Sequence, residues 1–289
     1  VVSVAFLAVD WGTTNRRVFL IQGGAVVATE RDARGAAAVE DFPAEIAAIR
    51  VRHGDLPMML AGMVGSNIGW RAVPYVEAPA SIETLAAALE EVAPGVRIVP
   101  GVSYRDGNRA DVMRGEEVQL LGAAAVGLVP ADALLCQPGT HCKWATLADA
   151  RITRFTTALT GELFALLRAH GLLARQLGGE VSDGAAFRAG VAEGARRDLA
   201  ASLFGIRASG VLGVRDDADA AAFASGLLIG ADTATRLAEA AHDTVHILAD
   251  PALGALYAAA VEALGGTAML VDSHAAFVAG ITRIQELNP

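Results

Sequence analysis

The amino-acid sequence predicts an α/β protein made of two similarly built halves, and three features carry that prediction. Each half opens with three short apolar strands and then alternates helix with strand, the pattern of layered α/β folds. Each half also sets a glycine-containing polar turn directly after its first apolar strand, at residues 10–15 and again at 138–144. With 289 residues, 53% hydrophobic and only 19% charged, the chain can fill one large core or two medium ones, and its composition is the reverse of a disordered chain's.

The elements follow in order. Residues 4–9 are apolar and β-branched and read as the first strand; 18–21 and 25–29 read as the second and third, with Gly23-Gly24 as the hairpin turn. A helix is expected from about Pro43, because proline suits a first helical turn. Residues 57–61 read as a strand that runs into the glycine-rich stretch 62–70. Ser81 is expected to cap a helix reaching Glu91, with Glu83 and Thr84 in its first turn. Residues 96–99 read as a strand, and a long helix is expected over about 115–126. The order then restarts with strands at 133–136, 143–147 and 152–156 and helices at 161–169, 182–193, 198–204 and 217–240. Strand 244–248, helix 251–264, strand 268–271 and helix 274–284 close the chain. No short tandem repeat accompanies this duplication of architecture. Gly127 and Pro130 place the boundary between about 122 and 132, giving an N-terminal lobe of 1–125 and a C-terminal lobe of 126–289.

Composition removes several function classes. Lys+Arg is 23 and Asp+Glu is 32, a net charge of −9, so the chain has no general attraction for phosphate backbones and no nucleic-acid partner is expected. Two cysteines make neither a disulfide framework nor a four-cysteine zinc site, which fits a reducing compartment. The opening VVSVAFLAVDWG reaches an acid without a basic leader, so it reads as a strand rather than a signal peptide. The longest weakly charged stretch, 118–137, is interrupted by Gln119, Pro130 and Asp132, so no membrane partner is expected either. A cytoplasmic protein is the plain reading, with a homo-oligomer left open.

The two turns carry the chemistry. In Asp10-Trp11-Gly12-Thr13-Thr14-Asn15 a strand delivers a carboxylate to its C-terminal end and a glycine lets backbone N–H groups approach a ligand. Such a turn suits phosphate oxygens beside a hydrated Mg²⁺, although an ordinary hairpin turn explains the same residues. The second turn is Pro138-Gly139-Thr140-His141-Cys142-Lys143-Trp144, and Lys143 is the only lysine in the chain. In a sequence that otherwise uses arginine for every cation, this exception suggests a point charge set against phosphate. His141, Cys142 and Cys136 lack a fourth metal ligand, and strand alternation turns His141 and Cys142 to opposite faces, so no metal is expected there.

Two glycine turns, one per half after an apolar strand, resemble the paired phosphate loops of the sugar kinase/actin/hsp70 ATPase superfamily. The chain lacks both a Walker A string and the Rossmann glycine fingerprint. Longer strings sharpen the likeness: 9–15 (VDWGTTN), 61–70 (AGMVGSNIGW), 112–122 (VMRGEEVQLLG), 138–144 (PGTHCKW), 160–163 (TGEL) and 225–231 (SGLLIGA). Together they resemble the 2-dehydro-3-deoxygalactonokinases, which use ATP to phosphorylate the 6-hydroxyl of 2-keto-3-deoxygalactonate in galactonate catabolism.

That resemblance implies two ribonuclease-H-like lobes of the actin-like ATPase/sugar kinase fold around a central nucleotide cleft. The first lobe would carry the first phosphate loop and the sugar-acid site, the second lobe the other phosphate loop and the adenosine site. It implies ATP and Mg²⁺ as cofactors, with Asp10, Gly12, Thr13, Thr14, Asn15, Gly139, Thr140, His141 and Gly230 around the nucleotide. Arg114-Gly115-Glu116-Glu117 opens the helix between the lobes, where the helix dipole favours acids. A similar Gly-Glu-Glu string in exopolyphosphatases of the superfamily helps to activate water. Glu116 or Glu117 is therefore the candidate base, Glu117 with Asp10 the candidate metal holder, and Lys143 the third catalytic candidate. Arg17, Ser66, Asn67, Trp70, Arg114 and Glu162 are the substrate-binding candidates, an arginine fork being suited to a carboxylate. Arg207 fits a family string without an assigned role, and Arg16 stands where an aliphatic residue is usual, a change expected to alter only a surface. The competing readings are a kinase for another sugar or sugar acid, a polyphosphate or nucleotide phosphohydrolase, and a non-catalytic ATP-binding sensor.

Overall fold

The structure, a computed structural model, describes residues 5–288; Val4, the expected start of the first strand, lies outside the described residues. The chain divides into two compact units. One contains the chain up to Asp132, Leu147–Phe155 and everything from Ser273 onward; the other contains Ala133–Thr146 and Thr156–Asp272.

The first unit begins with β1 (Phe6–Trp11), β2 (Arg16–Gln22) and β3 (Ala25–Asp32), followed by α1 (Phe42–His53) and β4 (Met58–Gly62). Phe6, Leu7, Ala8 and Val9 are all buried, as a strand covered on both faces requires. β1 runs antiparallel to β2 and parallel to β4. Asp41 caps α1 by accepting the Ala44 N–H at 3.0 Å, and Phe42, Ile46 and Ile49 turn into the core. Next come β5 (Val76–Glu77), α2 (Ile82–Ala87), β6 (Glu90–Ala93), β7 (Val96–Ile98), β8 (Val102–Asp106), β9 (Arg109–Met113) and α3 (Glu116–Ala125). The main sheet has the order β3-β2-β1-β4-β7-β6, and β5-β8-β9 form a small second sheet.

The second unit repeats the plan. It contains β10 (Ala133–Gln137), β11 (Cys142–Ala148) as far as Thr146, β12 (Arg151–Ala158) from Thr156 onward, α4 (Thr160–Ala169), α5 (Ala185–Gly194), α6 (Leu199–Val211), α7 (Asp217–Glu239), β13 (Thr244–Leu248), α8 (Pro251–Ala263) and β14 (Thr267–Val271). Its sheet order is β12-β11-β10-β13-β14, with β10, β13 and β14 parallel. In both units, therefore, the order is third, second, first strand and then two parallel strands. Helix α9 (Ser273–Leu287) ends the chain and belongs to the first unit.

Three expectations need correction. The helix capped by Ser81 stops at Ala87, because residues 90–93 pair with β7 as a hairpin about Pro94-Gly95, with Gly95 at φ +67°. Residues 102–113, left unassigned above, form the β8–β9 hairpin about Asp106-Gly107, a turn signal present in the sequence. The single break expected at 125/126 falls at 132/133, and the chain then returns twice to the first unit. Helix α9 returns because it packs tightly on α3: a Cβ on Gly122 would stand 2.1 Å from the Ala276 carbonyl oxygen. Segment 147–155 returns through Ala80 and Ile152, which exchange N–H···O bonds of 3.0 and 2.8 Å.

Candidate functional site

In the first unit, the turn after β1 is fixed from behind. The Gly12 N–H donates to the Asn15 carbonyl at 2.9 Å, and the carbonyls of Gly12, Thr13 and Thr14 accept N–H groups from Ala36, Ala37 and Gly35 at 2.9–3.1 Å. The backbone is thereby held while the side chains of Thr13, Thr14 and Asn15 stay exposed. Arg16 corrects an expectation. It is only 1% exposed, pairs with Asp32 at 2.6 Å and Glu45 at 2.9 Å, and lies 4.9 Å above the Trp11 ring. It is a buried tie between β2, β3 and α1 rather than a surface change.

Asp10 stands across the strand pair from Arg17, which in turn contacts His274 at the start of α9. Burial pushes the Asp10 carboxyl above its ordinary range; Arg17 pulls it back, Glu116 adds to the rise and His274 opposes it. Asp10, Arg17, Glu116 and His274 thus form one cluster of ionisable side chains, which His274 joins from the start of the last helix.

The two glutamates at the start of α3 divide their roles. Gly115, at φ +107°, lets the chain turn sharply into the helix, and a Cβ there would come within 3.1 Å of the Gly62 Cα. Glu116 is half-buried and accepts the Arg114 N–H at 3.0 Å. Glu117 is 0% exposed, and both its oxygens accept the Gly115 N–H, at 2.9 and 2.7 Å. Burial first, and Glu116 second, push its carboxyl up to about 8, while the Gly115 N–H opposes the rise. Glu117 is thus buried and turned back on its own helix start, whereas Asp10 and Glu116 are the partly accessible carboxylates beside it. Among the described residues no group of three or more metal-ligating side chains occurs. Mg²⁺ does not need one, since it takes one or two carboxylates together with substrate phosphate and water. Two neighbouring carboxylates, one of them held above its ordinary range chiefly by burial, are a donor set that such a cation relieves.

Glu117 gives a pH prediction. Its unfolded carboxyl ionises near 4.5 and its folded one near 8, so between those values the folded state holds the extra proton. Stability therefore falls as pH rises through that window. Glu117→Gln should remove this slope: thermal melts of the variant and the unmodified protein should diverge steadily from pH 5 to 8, with the variant holding its Tm. Parallel curves would contradict the burial described.

The glycine-rich stretch after β4 packs more of the expected substrate residues than it presents. The Ser66 hydroxyl donates to the Met63 carbonyl at 2.7 Å and is buried in its own turn. Trp70 stacks on Phe42, with ring centroids 6.2 Å apart and planes 2° from parallel. Arg114 is buried, donates to the Val73 carbonyl at 2.7 Å and lies 4.3 Å over the Tyr75 ring. Each of the three thus has a supporting contact in or beside the loop. Asn67 is exposed and Arg17 half-exposed.

In the second unit, the turn after β10 rests on the start of α4. Gly161 is obligatory there, because a Cβ would stand 2.3 Å from the Gly139 carbonyl oxygen. The Glu162 N–H donates to the Thr140 carbonyl at 2.9 Å, and the Glu162 carboxylate meets His141 Nε2 at 2.6 Å. Glu162 therefore belongs to the second turn, on a different unit from Arg17 and Asn67. Cys142 and Trp144 join the apolar core, so Lys143 lies on the opposite face of β11. It is 5% exposed and its Nζ donates to Thr157 Oγ1 of β12 at 2.8 Å.

The pocket beside this turn brings Gly139 and Gly161 together with Phe164, Ser225, Leu228 and Leu253. It thus joins the second turn to α7 and the first turns of α8. Gly230 does not belong to it. A Cβ there would meet the Val191 carbonyl oxygen at 2.5 Å, and Gly226 is as tightly set against the Phe187 carbonyl at 2.1 Å. Gly190 and Gly194 on α5 and Gly226 and Gly230 on α7 form a close helix crossing, which gives Gly230 a packing role. Gly230→Ala should lower stability by roughly 1–3 kcal/mol in denaturant unfolding and leave the KM for ATP unchanged. Weaker nucleotide use at full stability would return Gly230 to the site. Asp232, unremarked in the sequence, accepts Trp144 Nε1–H at 2.8 Å and Thr160 Oγ1–H at 3.3 Å. Its one sequence signal was an acid closing the apolar run 220–231.

Two units with the same strand order, each with a glycine turn after its first strand, define the actin-like ATPase/sugar kinase class. Component A of the Acidaminococcus fermentans (R)-2-hydroxyglutaryl-CoA dehydratase shares this fold, at 12% identity and a TM-score of 0.53 over 99% of this chain and 100% of that one. Within the class, residues 10–284 match the family described as 2-keto-3-deoxy-galactonokinase, and the chain belongs to that family of carbohydrate kinases. The chain is 37% identical to the 2-dehydro-3-deoxygalactonokinase of Escherichia coli (strain K12), covering 96% of this chain and 97% of that protein. A crystal structure of a Sinorhizobium meliloti protein, provisionally named 2-dehydro-3-deoxygalactonokinase, is 35% identical. It superposes with a TM-score of 0.92 over 97% of this chain and 98% of that one.

Proposed function

We propose that the protein transfers the γ-phosphoryl group of ATP to the 6-hydroxyl of 2-dehydro-3-deoxygalactonate, in the cytoplasm. The observation that carries this reading is the family match over residues 10–284, which takes in both glycine turns and the Glu116 segment. Thr13, Thr14 and Asn15 are the phosphate-binding residues of the first unit, and Gly139, Thr140 and His141 those of the second. Asp10 would hold Mg²⁺, which when bound would offset negative charge on the phosphates. Glu116 accepts the proton of the attacking hydroxyl, and Lys143 stabilises charge on the transferred group. Arg17 and Asn67 receive the carboxylate and hydroxyls of the sugar acid. Glu117, Arg114, Ser66 and Trp70 keep these groups in place without touching substrate.

The test is ATP consumption across six-carbon keto-deoxy acids, with phosphorus NMR of the product. Turnover with 2-dehydro-3-deoxygalactonate, and a phosphate ester on its C6, is expected. Faster turnover of another sugar acid would transfer the same machinery to that substrate. Phosphate release without any sugar acid would replace the kinase reading with hydrolysis.

A further inference from the structure

The second turn is held from two directions, and both supports end on one carboxylate oxygen. On one side, β11 leaves the turn as Cys142-Lys143-Trp144, and Trp144 Nε1 donates to Asp232 Oδ2 at 2.8 Å. On the other, α4 starts at Thr160, whose hydroxyl donates to the same Oδ2 at 3.3 Å. The next two residues of α4 touch the turn: Gly161 against the Gly139 carbonyl, and Glu162 through its N–H to Thr140 and its carboxylate to His141. The Asp232 side chain is 7% exposed and its other oxygen lies 3.7 Å from Arg236 Nε. A buried carboxylate is costly to keep unless its hydrogen bonds are made, and removing one partner leaves the remaining donors buried and unmatched. Burial accordingly pushes the Asp232 carboxyl up, while the Trp144 donor and Arg236 pull it down.

We infer that Asp232 is a positioning residue for the nucleotide: it sets the spacing between β11 and the start of α4, and hence the shape of the 138–141 turn. This inference rests on the assignment of that turn to the phosphates of ATP. Asp232 touches no substrate atom itself. Its effect should be confined to the ligand that the second unit holds and should spare the sugar acid, whose candidate contacts Arg17 and Asn67 lie on the first unit.

The experiment is calorimetric titration of the full chain with the non-hydrolysable analogue adenylyl imidodiphosphate plus Mg²⁺, and separately with 2-dehydro-3-deoxygalactonate. Three variants bracket the interaction. Asp232→Ala removes the acceptor, Asp232→Asn keeps an oxygen for Trp144, and Trp144→Phe keeps the ring but removes the donor. Asp232→Ala and Trp144→Phe should weaken the analogue roughly tenfold to a hundredfold, with Asp232→Asn restoring most of the loss and sugar-acid binding unchanged in all three. Analogue affinity unchanged in Trp144→Phe and Asp232→Ala would overturn the inference. So would an equal loss for both ligands that tracks a fall in Tm. If the unmodified protein fails to bind the analogue, the assignment of the turn to ATP falls first.

Discussion

Glu116→Gln is expected to lower kcat by about 10²–10⁴-fold, the range typical of losing a placed general base. The substitution keeps the side chain's length and one oxygen for the Arg114 N–H, so the start of α3 should hold its shape and Tm should stay within the error of the melt. Of the two adjacent acids only Glu116 is open enough to meet a hydroxyl, because Glu117 is sealed against Gly115. The paired variant Glu117→Gln should therefore keep most of the activity while changing the pH dependence of stability. Stopped-flow measurement of ADP release with both variants separates the roles. A Glu116→Gln enzyme with unaltered kcat, beside a dead but folded Glu117→Gln enzyme, would reverse them.

Lys143→Met should cost on the order of 10²–10³ in kcat, the loss typical of removing one preorganised charge stabiliser. Methionine fills the space of the buried stem without the amine, so the hydrogen bond to Thr157 is lost but β11 is not left with a cavity. Thr157→Val removes the same hydrogen bond from the other side and leaves the charge in place. If the lysine works on the phosphoryl group, Lys143→Met should be far more damaging than Thr157→Val in steady-state kinetics. Equal, small effects would make Lys143 a strand-to-strand tie and nothing more.

The fold was legible in the sequence to the extent that local pattern encodes it. Apolar strands beside glycine turns located β1, β2, β4 and β10, and their repetition located the two units. The β8–β9 hairpin escaped because its strands are short and half-exposed, so hydrophobic alternation is weak, although Asp106-Gly107 marked its turn. The unit boundary escaped because it depends on contacts distant in sequence: Gly122 against α9, and Ala80 against Ile152. At the site, the residue types were readable but their directions were not. Glu116 and Glu117 are identical in composition and adjacent in sequence, and only the 100° step between helix positions turns one into the core. Gly230 is the residue expected around the nucleotide within the Ser225–Ala231 string. In the helix its serine and leucine face the pocket while Gly226 and Gly230 face α5. Arg16 and Asp232 show the reverse limit: charged side chains that pattern assigns to water are buried, because partners from other elements meet them there.

The central proposition is that the turn at 12–15 and the turn at 139–141 each bind phosphate oxygens of the nucleotide. An experimental structure of the protein with adenylyl imidodiphosphate, Mg²⁺ and 2-dehydro-3-deoxygalactonate measures this directly. The expected density places phosphate oxygens within hydrogen-bonding distance of both Thr13 and Thr140, with the sugar 6-hydroxyl between Glu116 and the γ-phosphate. An analogue seated against one turn alone, with the other facing only solvent, would contradict it.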